Sequence, residues 1–402
     1  MSVVKTAPIS QKILNMAESA TLKMSQLGRE LKAQGHDVIS LSLGEPDFDT
    51  PDHIKAAAKQ ALEEGYTKYS PVPGLLELKE AVCTKFKRDN GLEFTPNQIV
   101  VSTGAKQSLH NLCQALLNDG DEALIFSPYW VTYSEIVRLA GGVPVDVFAG
   151  IENDYKVTAD QVAAAITDKT KIVLFSSPCN PTGSVYLKEE LEAIANVIGK
   201  HEDIYVISDE IYEYINFTGQ HCSIGTFDAV KDQTITVNGF AKGFAMTGWR
   251  LGYIGAPLEV AKACAKHQGQ VTSGANSFAQ KAAVTALLAD MTPTHKMREE
   301  FLKRRDMVLE LLREIPGLKV NEPEGAFYVF PDISNFMGKQ VGDTVINNSE
   351  DFCIYMLNEA KVALVPGGAF GAEGYFRMSY AASEQQLRTA IDRIKAAIQK
   401  MV

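Results

Sequence analysis

Cysteine is sparse and unpaired in this sequence. Cys83, Cys113, Cys179, Cys222, Cys264 and Cys353 are scattered over 402 positions with no Cys-x-x-Cys, and the seven histidines form no His-Glu-x-x-His pattern. A disulfide framework and a structural zinc site are therefore excluded as organising devices, no metal is expected, and a reducing cytoplasm is the natural setting. Long apolar runs are also missing, so no segment is expected to span a membrane. Met1 to Ser10 lacks an apolar core followed by small residues, so no secretory signal is read there. Basic charge is in deficit: 39 Lys and Arg against 49 Asp and Glu leave a net charge of −10, the opposite of a nucleic-acid surface. An anionic substrate must then be drawn in by a few local cations.

Three motif classes are absent as well. No Gly-x-Gly-x-x-Gly opens a helix after a strand and no Gly-Lys-Ser/Thr loop occurs, which argues against a nucleotide-dependent dehydrogenase or kinase. A Gly-x-Ser-x-Gly elbow is missing, which argues against triad hydrolysis. No basic helix-turn-helix pattern precedes residue 50, which argues against a cofactor-binding gene regulator.

What is present is an ordinary globular composition, 46% hydrophobic and 22% charged. From about residue 50, helical and strand periods alternate, the pattern of an α/β domain with a mainly parallel sheet flanked by helices. Thr50-Pro51 reads as the start of a helix ending near Gly65, and Leu75, Leu78, Val82 and Phe86 share a helical face up to Asn90-Gly91. Short apolar runs follow at Ile99–Val101, Ala123–Phe126, Ile172–Phe175, Ile204–Ile207, Ile235–Val237 and Tyr253–Ile254, as expected of strands covered on both faces. After about residue 292 the pattern changes to a long charged helix from Thr294 to Glu314. Strand-like segments follow at Ala326–Phe330, Val362–Val365 and Phe376–Tyr380, and an amphipathic helix from Ser383 closes the chain. We expect a large α/β unit over residues 51–291, and a smaller discontinuous α+β unit from residues 1–50 with 292–402.

Ligands of such sheets sit beyond the carboxyl ends of the strands. Ile99–Val101 runs into Ser102-Thr103-Gly104-Ala105, a small turn at a helix N-terminus that suits a phosphate, although many ordinary tight turns look the same. Ile172–Phe175 leads to Asn180-Pro181-Thr182-Gly183, Ile204–Ile207 to Asp209-Glu210-Ile211-Tyr212, and Ile235–Val237 to Lys242, followed by Arg250. An amine, an acid, a phenol, an amide and a guanidinium converging on one crevice fit an aldehyde on a pyridine ring bearing a phosphate. Lysine forms the Schiff base, a carboxylate keeps the ring nitrogen protonated, and arginine grips phosphate bidentately. Each residue also has a plainer reading. Lysines are usually solvated, Asp209 is able to cap a helix, Trp130 to fill a core, and Asn180-Pro181-Thr182-Gly183 is a good turn whatever its role. Against this, Lys242 is followed by Gly243, Phe244, Ala245 and Met246, a poor setting for a surface charge. Arg377 lies between Phe376 and Met378, where an anion partner is expected.

Gly44-Glu45-Pro46-Asp47-Phe48, Tyr129-Trp130, Asn180-Pro181-Thr182-Gly183, Asp209-Glu210-Ile211-Tyr212 and Lys242 through Gly252 together resemble the class I aminotransferases. Within them they are similar to the bacterial and plastid aspartate aminotransferases that also use prephenate. The resemblance runs from Gly44 to Tyr380 in the family's order. It implies the fold type I architecture of pyridoxal 5′-phosphate enzymes and ping-pong transamination.

Lys242 is then the Schiff-base lysine and proton carrier, and Asp209 the partner of the ring nitrogen. Tyr212 and Asn180 contact the ring oxygen, and Trp130 stacks on the ring. Arg250 holds the phosphate with Ser102, Thr103, Gly104 and Ala105. Tyr69 resembles the tyrosine that reaches the neighbouring subunit's phosphate, which implies a homodimer. Arg377 clamps the substrate α-carboxylate with Asn180 and the backbone at Gly44. Lys106 and Thr21 receive the side-chain carboxylate, so aspartate with 2-oxoglutarate is the expected pair and prephenate a further candidate acceptor. Lys106 has its own plain reading, an exposed first-turn residue mildly disfavoured by the helix dipole. An aromatic or branched-chain aminotransferase, or a lyase, is the alternative on the same fold. One departure stands out: Gly239 and Ala241 occupy positions where many family members carry phosphate-binding hydroxyls.

Overall fold

The computed structural model describes residues 9–342 and 344–401. Residues 1–8, read above for a targeting signal and assigned to the smaller unit, lie outside the described residues. Seven strands form the main sheet: β1 (Ile99–Ser102), β2 (Glu122–Ser127), β3 (Val143–Phe148), β4 (Thr170–Ser176), β5 (Tyr205–Asp209), β6 (Thr234–Gly239) and β7 (Gly252–Gly255). Their spatial order is β1-β7-β6-β5-β4-β2-β3, and every pairing is parallel except the two made by β7. The apolar runs are thus strands, buried on both faces, and the mixed sheet follows from one reversed segment between β6 and β1.

One strand has no counterpart among the expected runs. β3 reads Val-Pro-Val-Asp-Val-Phe, and only Val147 of its side chains is buried, because it forms the edge of the sheet. Proline and aspartate are tolerated there because one side of the strand has no partner to donate to. The helix expected to run from Leu75 to Asn90 is α-helical over Leu76–Lys85 and widens to a π turn at Phe86–Asn90, which closes on Gly91 at φ 67°. The long charged helix covers Thr292–Arg313, and Ser383 caps the closing helix Glu384–Ile398 with an oxygen that accepts the Gln386 amide.

The expected strand Val362–Val365 is split between two partners. Val362–Ala363 pairs in parallel with Ile39–Ser40, whereas Val365–Pro366 joins Phe376–Ser379, which in turn pairs with Tyr328–Val329. Met24, Val38, Ile39 and Leu41 share one apolar core with Phe301, Phe327, Phe376 and Ile391. The chain therefore returns to its N-terminal part at its C-terminal end, and segment 42–50 crosses from that core to the large sheet. Arg304 anchors this crossing through a two-bonded contact to Asp47, at 2.7 and 2.9 Å, and Trp249 donates to Thr50 at 3.0 Å.

Candidate active site

A cavity of about 390 Å³ opens beyond the carboxyl ends of β1, β4, β5 and β6 and is closed by segment 43–45, Tyr328 and Arg377. Its position follows from topology: every parallel strand delivers its terminal residue to the same edge. Lys242, Asp209, Tyr212, Asn180, Trp130, Arg250, Gly104, Ala105, Lys106, Thr21, Gly44 and Arg377 all line it.

The electrostatics single out two groups. Burial pulls the Lys242 ammonium down to about 8, with the Arg377 charge adding to the effect and Glu45 opposing it. A large share of this amine is therefore neutral and nucleophilic near pH 8. Its Nζ donates to the Gly44 carbonyl. Asp209 moves the other way: burial raises its carboxyl to about 6, against the opposing hydrogen bonds from the Tyr133 hydroxyl (2.7 Å) and the Ile211 amide (3.2 Å). An aspartate buried with two neutral donors and, among the described residues, no ion-pair partner is electrostatically incomplete.

Arg377 is the most deeply buried cation of the site, 1% exposed. One guanidinium nitrogen donates to Asn180 Oδ1 (2.9 Å) and another to the Ser42 carbonyl (2.6 Å), while the plane lies 4.5 Å from the Tyr328 ring centre. Its Nε has no partner among the described residues. The anion expected beside it is not supplied by this chain: among the described residues no carboxylate pairs with it. Burial accordingly lowers its proton affinity. Tyr212 shares a 2.7 Å hydrogen bond with the Tyr328 hydroxyl, and burial followed by that neighbour pushes its own proton loss far upward.

On the opposite wall, Gly104 adopts φ +86°, and a Cβ there would lie 2.5 Å from Arg250 Nη2. Gly252 is as constrained, because its Cβ would meet the Ala105 nitrogen at 2.2 Å. These two glycines allow the N-terminus of helix Ala105–Leu116 to press against Arg250, which itself sits at φ 55° and donates to the Thr247 carbonyl. The result is a concave anion cradle of helix N–H groups and one guanidinium. Lys106 lies beside it with its ammonium 4.9 Å from the Trp130 ring, and burial plus the Arg250 charge lower its proton affinity. The Thr21 hydroxyl oxygen is shielded from solvent and has no partner among the described residues.

Three expected residues stand elsewhere. The Ser102 hydroxyl is turned away and donates to Gln268 (2.7 Å), because it closes a buried network that also binds Asn111. Thr103 is outside the cavity, its amide held by Gln107. Tyr69 is 97% exposed and touches nothing in the site. Conversely, no site role was expected of Tyr133, Tyr328, Ser176 or Glu45, all in the cavity wall, although Glu45 stands inside the Gly44–Phe48 motif. Tyr133 also carried a signal: it follows the Trp130 of the Tyr129-Trp130 motif by three residues, at the start of helix Thr132–Leu139, and its amide donates to the Trp130 carbonyl.

An attacking amine, a buried acid short of a cation and two separate anion-binding walls in one crevice define an enzyme that works on amino compounds through carbonyl chemistry. Residues 36–394 match the model of aminotransferase class I and II. The aspartate/prephenate aminotransferase of Cereibacter sphaeroides is 46% identical over 395 residues, covering 96% of this chain and 98% of that protein. The crystal structure of the aspartate aminotransferase from Rhizobium meliloti superposes with a TM-score of 0.95 at 40% identity, covering 99% of this chain and all of the other. The Thermus thermophilus aspartate aminotransferase with maleate gives 0.91 at 44% identity, covering 98% of this chain and all of the other. The chain belongs to the class I and II aminotransferases. It is an enzyme of transamination, with the fold type I architecture of that family.

Proposed function

We propose that the cavity holds pyridoxal 5′-phosphate and that the enzyme transfers the amino group of aspartate to 2-oxoglutarate, with prephenate as a further acceptor. The observation that carries this reading is the pairing, in one cavity, of a depressed lysine with an aspartate that lacks a cation. The donor set fits the group. Asp209 is placed to receive a protonated ring nitrogen, the Gly104-Ala105 turn with Arg250 cradles a phosphate, and Trp130 offers a ring face. Gly239 and Ala241 supply no hydroxyl, so Arg250 and the helix N-terminus carry the phosphate. When bound, the cofactor supplies a carbonyl that condenses with amines and a ring that accepts the electron pair released at the substrate α-carbon.

The chain's own groups do the rest. Lys242 Nζ would remove the α-proton and return it to the carbon on the far side of the amino nitrogen, and its low proton affinity suits both directions. Arg377, held by Asn180 and Ser42, takes the α-carboxylate with its free Nε in reach. Tyr212 and Asn180 orient the ring oxygen. Lys106 and the unpartnered Thr21 hydroxyl receive the second carboxylate, in keeping with relatives named for aspartate and prephenate and with a neighbour solved with maleate. Turnover is ping-pong, one oxo acid leaving before the next enters.

The exposed Tyr69 fits a homodimer in which it reaches the partner's phosphate cradle. The shared core of residues 24–41 with the C-terminal segments supports the division into residues 51–291 and 1–50 with 292–402. Six free cysteines favour the cytoplasm. Among the described residues no helix is long and apolar enough to cross a membrane. The test is direct: the protein with pyridoxal phosphate should show a visible chromophore that borohydride fixes onto Lys242. A panel of amino donors should rank aspartate first. Labelling at another lysine, or a preference for aromatic donors, would overturn the corresponding half of the proposal.

A further inference from the structure

Among the described residues, Tyr133 is the one side chain that donates to the Asp209 carboxylate. Tyr133 is 1% exposed, its ring is edge-on to Trp130 at 5.7 Å and lies 6.4 Å from Tyr129, so the hydroxyl cannot swing away without breaking that packing. Burial, reinforced by the negative charge of Asp209, holds the phenol's own ionisation far above its ordinary range. Tyr133 is thus a permanent donor, and any proton exchanged across the 2.7 Å contact belongs to Asp209. The other ionisable groups whose charge Asp209 feels or acts on are Glu210, which points away but disfavours its charge, Lys242, which favours it, and the buried Tyr212 and Cys179, both neutral at ordinary pH.

We propose that Tyr133 keeps Asp209 in its carboxylate form and aimed into the cavity, and so sets the lowest pH at which the site grips a cationic ring nitrogen. It is a positioning residue: its effect runs through Asp209. The inference rests on the pyridoxal phosphate reading and deepens it. The sign follows from the contact. A hydrogen bond to the ionised form lowers a carboxyl's pKa, so removing the hydroxyl lets Asp209 take up its proton at higher pH.

The test uses the full-length protein stripped of cofactor and titrated with pyridoxal 5′-phosphate, binding being read from tryptophan quenching and from the Lys242 chromophore. The wild type should lose affinity as pH falls through about 6. Tyr133→Phe should move that limb upward by roughly one pH unit, while affinity near pH 8 stays within about a factor of two because Asp209 is ionised in both proteins. In an Asp209→Asn background the limb should vanish and Tyr133→Phe should add nothing. Placing 3,5-difluorotyrosine at position 133, a stronger donor of similar size, should move the limb downward and keeps the test open if the phenylalanine variant folds poorly. Equal weakening at every pH, or the same loss with and without Asp209, overturns the proposal. Failure of the wild type to form any chromophore would instead sink the cofactor reading, and this inference with it.

Discussion

Asp209 and Glu210 are neighbours in sequence at the end of β5, yet they face opposite sides of the strand and meet opposite fates. Asp209 points into the cavity, takes two neutral donors, and burial lifts it to about 6. Glu210 points away into a closed network. Its Oε2 accepts from Asn90 (2.9 Å), Ser223 (2.7 Å) and the His221 ring (2.7 Å), and its Oε1 from Ser208 (3.0 Å). Burial opposes ionisation there too, but the His221 charge and the ring of donors outweigh it and lower the pKa. Behind it the fully buried Lys85 pairs with Glu213 and donates to Asn90. A buried acid ringed by donors and paired with a cation is part of the scaffold, whereas one left short of a cation marks where a ligand must complete the site.

The comparison gives a ranked set of outcomes. The largest is on the lysine that faces Asp209: Lys242→Ala should lose the chromophore and reduce turnover by roughly 10⁴-fold or more, as removal of a combined nucleophile and proton carrier does. Asp209→Asn comes next. Loss of one preorganised charge should lower kcat by roughly 10²- to 10³-fold.

The same change should stabilise the cofactor-free protein at neutral pH. A folded pKa of about 6, above the ordinary 3.8, means the stability tied to the neutral carboxyl is present below about 4 and lost as pH rises through 6. Asparagine removes that loss, so thermal unfolding at pH 7 should favour the variant by up to about 3 kcal/mol, and the gain should vanish near pH 4.

Lys106→Ala should raise KM for aspartate about tenfold more than KM for an aromatic donor, the scale of one charge-assisted contact. Equal loss for both would remove Lys106 from side-chain recognition. Glu210→Gln is the smallest in activity. Steady-state rates should stay within about threefold, while denaturant unfolding shows a loss of about 2 kcal/mol, the range for weakening one buried charged hydrogen-bond set. A Glu210 variant as inactive as Asp209→Asn, yet fully stable, would break the contrast between the two faces of the strand.

The strand ends were legible because parallel strands buried on both faces must be nearly continuous apolar runs, and whatever polar residue ends such a run faces the ligand edge. Lys242, Asp209 and Asn180 are readable on that ground, and Arg377 from its apolar flanks. β3 was hidden by its edge position, where Pro144 and Asp146 cost little. Ser102 looked like a phosphate ligand because its place in the turn is visible in sequence and the direction of its hydroxyl is not; Gln268, 166 positions later, claims it.

By itself, the order of residues determined the alternation of strand and helix and the chemistry delivered at each strand end. Those depend on local periodicity and on backbone freedom, which neighbours in sequence control. Only the tertiary structure decided which of two adjacent acids would be left without a cation, that Tyr133 would be the donor to Asp209, and that Arg377 would keep a buried nitrogen without a partner among the described residues. Burial and pairing are set by segments hundreds of residues apart, and it is burial and pairing that assign a charge its energy.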